Sequence, residues 1–469
     1  MFELTEQQEN LRSRVRQFAE SELTPRVFDL DENGEFPTGI VRELAELGII
    51  GIASAREIGG AAMGYLAGLV AIEELARVYP SIAFFLEGSQ AAMHAIEKFG
   101  TEKQQRKFLP PVIRGERIVC IAATEPAGGS DLASIATVAT PVKGGYVLKG
   151  RKVYITNGGV ADLAAVVVKA GERAMVLLVE KGTPGFSVSG RERQMGFRSV
   201  HISELTFNDC RVPAGNLIGK EGAGLAIAMS SFIVSRPSIG AIGLGIARGA
   251  FDIALKFARE RVLYGKPISR LQNIQFMLAD METEIEKARW VVYYPAARLD
   301  RGASPREIGK HSARAKAVGA EVAAEVTRKA IQILGGVRRE PGIPAGRPAQ
   351  RRHGTFPGNG YGRDHEGHPG HRDHQPAEAL TAPFPGSFAD KLPPEGHAVE
   401  GQQDEHHHTE QKQGQQHAAL IQKRFKPVPG DVVFPDIEEE GRQKVKPEEK
   451  GSKQGHEPGD GPGLSLPDG

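Results

Sequence analysis

The chain has 469 residues, 40% of them hydrophobic, and a formal net charge of +1, enough for two or three domains or one large composite fold. Near-neutral charge removes any general electrostatic case for nucleic acid or an anionic membrane as a partner. Two cysteines, Cys120 and Cys210, far apart and without CxxC spacing, suggest neither a disulfide framework nor a zinc site, and a reducing, cytoplasmic setting is the default expectation. The charged N-terminus lacks a signal-peptide core, and no continuous run of about 18 apolar residues marks a membrane span.

Residues 1–116 read as helices. Leu11, Val15 and Phe18 fall at i, i+4, i+7; in "TGIVRELAELG", Thr38 is the expected N-cap, Ile40, Leu44 and Leu47 share a face, and Gly48 is the stop. From 117 to 221 the texture turns to short β runs, "RIVCIAA", "GGYVLKGRKVYITNGG", "LAAVVVKA", "AMVLLVE" and "SELTFNDCRV", punctuated by Gly-Gly and Asn-Gly pairs. Long amphipathic helices return over 222–336, the last opening with Ser304, Pro305 and Glu307 as N-cap, N1 and N3. After Gly336 no helical or strand period is sustained. That tail holds 11 of the 14 histidines and 17 of the 30 prolines, so 337–469 reads as a separate, disordered segment. Nothing around His406, His407 and His408 fixes a metal geometry, and no metal is expected.

Two stretches carry chemistry. In "AATEPAGGSDLAS" (122–134), Gly128 and Gly129 let backbone N–H groups approach a polar ligand, while Thr124 and Ser130 add hydroxyls. In "KVYITNGG", Tyr154 and Thr156 stand at alternate positions of a strand and are expected on one face, an aromatic beside a hydroxyl that suits a flat heterocycle. Each alone also fits a plain surface turn or half-buried strand.

With "FNDCRVP", "GAGL", "SRP", "RERVLYGKPI", "QFMLADM" and "AIQILGG" in the same order, these motifs resemble the acyl-CoA dehydrogenase family of flavoproteins over residues 1–336. The resemblance implies an α+β architecture: an N-terminal all-α domain (1–116), a β-barrel-like middle domain (117–221) and a C-terminal helical bundle (222–336). It implies FAD, with Thr124, Gly129, Ser130, Tyr154 and Thr156 at the isoalloxazine ring. Arg261, Tyr264, Gln272 and Gln332 match positions that hold the pyrophosphate and adenine end across a subunit interface. Arg236 matches a residue near the CoA moiety, and Ser130 and Glu87 match residues at the substrate. The implied reaction removes the α-proton of an acyl-CoA thioester to a carboxylate while the β-hydrogen leaves as hydride to flavin N5. A homotetramer and an electron-transferring flavoprotein as acceptor are implied as partners; neither nucleic acid nor membrane insertion is.

The general base is out of place. One of the two positions where such proteins carry it is Ser235 here; the other precedes a Gly-Thr pair beyond "AIQILGG". Reading codon positions two and three of each residue with position one of the next, Val337–Pro344 can give Y-G-E-N-P-E-Y-P, 348–352 L-R-R-D-A, and 360–368 G-T-A-E-I-M-R-V-I. These are the family's missing segments in order, so the tail, 337–469, reads as an out-of-frame translation after a shift at or just after Gly336. The shifted codon joining Asn359 to Gly360 encodes only Met or Thr, so no Glu arises there either. Glu87 becomes the expected base, with His94 behind it, and an atypical substrate such as an alicyclic acyl-CoA fits so unusual a base. Two rival readings remain: a catalytically silent flavin- or acyl-CoA-binding protein with a disordered interaction tail, and a flavin oxidase or monooxygenase of the same fold.

Overall fold

The computed structural model describes residues 3–336; the expectations for the tail, its histidines and its reading frame fall outside them. The sequence T-x-x-Q opens α1 (Glu6–Phe18) with a reciprocal cap: Thr5 Oγ1 accepts from Gln8 N, and Gln8 Oε1 accepts from Thr5 N. α2 (Val27–Asn33) ends at left-handed Gly34, and α3 (Thr38–Glu46) buries Ile40, Val41 and Leu44. Thr38 is the first helical residue, not the N-cap: Pro37, which has no N–H to satisfy, takes the cap position and no side chain caps the helix. α4 (Tyr65–Val78) is apolar on nearly every side and buried accordingly. α5 (Pro80–Phe99) starts on its N1 proline, and α6 (Glu102–Ile113) carries a second capping box, Thr101 with Gln104.

The middle of the chain forms one eight-stranded sheet: β1 (Val119–Ala122), β2 (Val138–Val142), β3 (Gly145–Ile155), β4 (Leu163–Ala170), β5 (Arg173–Glu180), β6 (Phe186–Arg191), β7 (Ser203–Pro213) and β8 (Leu217–Ile218). The order is β6-β7-β3-β2-β4-β5-β8, with β1 parallel to β4. Period-two alternation divides the side chains. Leu163, Ala165, Val167, Val176 and Leu178 pack on α5 and α6, whereas Ala164, Val166, Val168, Leu177, Leu148, Phe207 and Val212 fill a separate core of the sheet itself. β4, the run "LAAVVVKA", is buried on both faces.

α7 (Gly224–Glu260), a short hairpin of β9 (Val262–Leu263) and β10 (Lys266–Pro267), α8 (Gln272–Asp300) and α9 (Pro305–Leu334) complete the described fold. Ser304 caps α9 with Glu307, as its sequence predicts. α7 is apolar and long enough to cross a membrane by length and composition, a property that Arg236 conceals from a count of uninterrupted apolar residues. It is the central helix of the core, packed against α4, α5, α8 and α9. Glycines let backbones meet: a Cβ on Gly240 would lie 2.5 Å from Ala315 O. Ser312 Oγ donates to Ile233 O at 2.6 Å, so α9 runs parallel to α7 and its C-terminal end lies level with the end of α7.

Candidate active site

The glycine-rich stretch after β1 is held from beneath by a buried ion pair. Lys152, on β3 and 0% exposed, donates from Nζ to Glu125 Oε1 at 2.7 Å and to Ala123 O at 3.0 Å. Glu125 also accepts from Ala136 N at 2.6 Å and Thr137 N at 2.9 Å. Burial by itself would raise the Glu125 carboxyl, but these donors outweigh it and bring its pKa down to about 2. The pair thus ties both ends of the 124–136 loop to β3. Val153 N donates to Thr124 O at 3.0 Å, and a Cβ on Gly129 would stand 2.9 Å from the Thr124 side chain. Thr124, Gly129 and Ser130 therefore lie beside the end of β3.

There the strand breaks its alternation. The β3–β7 register shifts between Lys152 and Ile155, and Tyr154 (φ 58°) and Asn157 (φ 64°) are left-handed. Thr156 already belongs to the following turn, so parity along the strand does not place Tyr154 and Thr156 on a common face; the bulge re-aims them. Tyr154 stays 44% exposed. Thr156 packs onto α5, where a Cβ on Gly88 would meet its methyl at 2.6 Å. Asn157 is buried, donating from Nδ2 to Phe85 O at 3.0 Å and Ser89 Oγ at 3.2 Å, while its Oδ1 has no partner among the described residues. Sequence reasoning passed over Lys152 and Asn157: a lysine in a strand reads as solvent-facing, and Asn-Gly reads as a turn.

This docking sets the bulge against the one acidic residue on that stretch of α5. Glu87 follows Leu86 and precedes Gly88, and its carboxylate lies near enough to the Ser235 hydroxyl of α7 for that hydroxyl to favour its charged form. Desolvation raises its pKa to about 7, against the opposing effect of that hydroxyl. Ser235, 3% exposed, is the position where the family resemblance leads one to expect a carboxylate, and Glu87 approaches it from the facing helix. The pattern repeats along the seam: Ser238 Oγ donates to Gln90 Oε1 at 2.6 Å, and His94 Nε2 lies 3.2 Å from Ser230 Oγ. Arg236, next to Ser235, is half-buried and forms no ion pair among the described residues.

Arg261, Tyr264, Gln272 and Gln332 lie elsewhere. Arg261 terminates α7, 25 positions after Arg236, hence about 37 Å away along the axis. Gln272 begins α8 beside it, and the parallel α9 brings Gln332 to the same end. Between them Tyr264 and Gly265, both left-handed, form the two-residue turn of the β9–β10 hairpin and present the Tyr264 ring 90% exposed.

This layout of three parts and two distant clusters corresponds to a known architecture. Sequence profiles described as acyl-CoA dehydrogenase N-terminal, middle and C-terminal domains match residues 5–116, 120–210 and 222–347. The short-chain-specific acyl-CoA dehydrogenase of Clostridium acetobutylicum is 39% identical over 341 residues, covering 71% of this chain and 89% of that protein. The chain belongs to the acyl-CoA dehydrogenase family. Acryloyl-CoA reductase (NADH) of Anaerotignum propionicum is 40% identical over 342 residues, 71% of this chain and 86% of its own. The structure of butyryl-CoA dehydrogenase from Megasphaera elsdenii superposes with a TM-score of 0.72 at 35% identity, over 75% of this chain and 94% of that one. As a member of the family, this acyl-CoA dehydrogenase is an FAD-dependent oxidoreductase acting on a CH–CH bond of an acyl-CoA. Its own residues fit a flavin: an exposed aromatic at a bulge, hydroxyl donors at Thr124, Ser130 and Thr156, and a buried Asn157 Oδ1 still open to a donor.

Proposed function

We propose that this acyl-CoA dehydrogenase oxidises its thioester to the 2,3-enoyl-CoA with Glu87 as the general base. The observation that carries the reading is the Glu87–Ser235 contact: a carboxylate with pKa about 7 at the spot where Ser235 replaces the expected Glu. Glu87 takes the α-proton onto its carboxylate, and the Ser235 hydroxyl holds that carboxylate in line. The β-hydrogen departs with its electron pair, leaving the new C=C bond. FAD, when bound, supplies the acceptor for that hydride. Thr124, Gly129, Ser130, Tyr154 and Thr156 would hold its ring, and Arg236 would face the CoA phosphates, an apt use of a guanidinium with no ion pair among the described residues. An electron-transferring flavoprotein is the acceptor we propose for the reduced enzyme.

The flavin's pyrophosphate and adenine end is assigned to Arg261, Tyr264, Gln272 and Gln332, about 37 Å along α7 from Arg236, the neighbour of Ser235. One copy cannot put both clusters on one molecule, which supports an assembly in which a second copy completes the site; we propose the tetramer. Val262, Leu263, Tyr264 and Phe276 (61% exposed) form the apolar, unburied surface such an assembly would cover. An alicyclic acyl group is the finer reading that the displaced base supports, and buried, unpaired Cys120 and Cys210 suit a cytoplasmic protein.

Anaerobic addition of acyl-CoAs, alicyclic ones included, to the purified yellow protein is expected to bleach the flavin. A flavinated protein that none of them bleaches refutes the reaction and favours a silent binding protein. Oxygen consumption without another acceptor would instead indicate an oxidase. A second measurement addresses the tail: sequencing the gene across the Gly335 and Gly336 codons is expected to show a displaced frame. A continuous frame confirmed in the source DNA refutes that proposal.

A further inference from the structure

Along α5 from Glu87 the fold keeps a partly open cleft with about 50 Å³ of free space, walled by the 49–54 loop, α4 and α5. Ile52, Ile72, Leu86 and Met93 make its sides apolar, but Tyr65, Gln90 and His94 give it a polar end. Gln90 and His94 belong to both surfaces. They line the cleft and also continue the Glu87 stripe toward α7, and Leu86, the residue before Glu87, lines the cleft as well. His94 stands seven residues past Glu87, about 10 Å along the helix axis, within reach of the far end of an acyl chain whose α-carbon lies at Glu87.

The polar end is built. Asp300 accepts from Tyr65 N at 2.6 Å and Leu66 N at 2.9 Å, fixing the first turn of α4. Tyr65 Oη then lies 3.4 Å from His94 Nδ1, too long for a good hydrogen bond and so open to a better partner. Burial lowers the His94 pKa to about 4, with Lys98 adding to the effect, and burial raises Tyr65 to about 12, with Glu97 and Asp300 adding to it. Both are therefore neutral near pH 7. The lining holds no lysine or arginine, and its one carboxylate is Glu97. An acyl group ending in a carboxylate would meet the like charge of Glu97 with no cation in the cleft lining, and a bare alkyl end would leave the Tyr65 and His94 dipoles without a better partner.

Resting on the reading of Glu87 as the base, we propose that this cleft selects acyl groups bearing an uncharged oxygen, a hydroxyl or carbonyl, at the far end, held between Tyr65 Oη and His94 Nδ1. The test compares 8-hydroxyoctanoyl-CoA, octanoyl-CoA and octanedioyl-CoA as reductants of the full flavinated chain. The hydroxylated thioester is expected to exceed octanoyl-CoA in kcat/KM by about tenfold or more, with the diacid last. The ratio is expected to fall to about one in Tyr65→Phe and in His94→Leu. A wild-type ratio near one, a preference for the diacid, or a ratio that both variants preserve overturns the proposal. If octanoyl-CoA bleaches the flavin while the ratio is one, only the cleft assignment fails. If neither bleaches it, the reaction itself is refuted, and equilibrium binding of the same pair, judged by the same ratio, decides the cleft.

Discussion

Glu87→Gln is expected to slow flavin reduction by acyl-CoA about a thousandfold, within the range that a positioned general base contributes, while the protein still folds and stays yellow. The amide keeps the size and the Ser235 contact but cannot take a proton. In the wild type, reduction is expected to rise with pH through about 7 and then level off, because only the ionised carboxylate is a base. The same shift predicts an opposite effect on stability. A carboxyl raised from 4.5 to about 7 in the folded state favours folding while protonated; that contribution is complete below about pH 4.5 and disappears as pH climbs through 7. The cost of holding the charge is up to about 3 kcal/mol by linkage. Glu87→Gln removes it, so the inactive variant should melt higher than wild type at pH 8 and no higher at pH 4. Stopped-flow reduction and thermal melts at the two pH values check both halves. Full turnover by the variant would remove Glu87 as the base.

The elements legible in the sequence are those whose burial is one-sided or complete. β4 is apolar throughout and β5 nearly so, and α9 announces itself with S-P-R-E, a cap that needs only local hydrogen bonds. β2 and β6 gave no signal because nearly all their side chains are exposed; what makes them strands is pairing with β3 and β7, which no local pattern encodes. The site divides in the same way. Thr124, Gly129, Ser130, Tyr154 and Thr156 could be picked out because glycines and hydroxyls beside an aromatic are unusual in series. Their mutual placement could not, since it depends on the left-handed Tyr154 and on the Thr156–Gly88 approach. Glu87 is reached through the family resemblance and its role as base only by elimination, since its neighbour Ser235 lies 148 residues away on another helix.

Lys152→Met is expected to be the most destabilising single change at the site. The side chain is fully buried, and its ammonium is the only cation paired with Glu125 among the described residues, Glu125 itself being 6% exposed. Removing it leaves a buried carboxylate with backbone donors alone, a loss of about 3–5 kcal/mol in comparable pairs. Glu125 has the opposite sign to Glu87: its folded pKa of about 2 lies below the ordinary 4.5, so its contribution is present above pH 4.5 and disappears as pH falls through 2. In the lysine variant that acid dependence should flatten, since the carboxyl then rises toward or above its ordinary value. Because Glu125 ties the 124–136 loop to β3, the variant should also release flavin more readily, joining stability and cofactor retention in one residue. The double variant Lys152→Met, Glu125→Gln removes both charges and is expected to recover most of the loss. Denaturant midpoints at pH 7 for the four proteins of this cycle decide the matter. A single variant within 1 kcal/mol of wild type, or a double variant no better than the single, would show that the loop is held by its backbone hydrogen bonds and not by the ion pair.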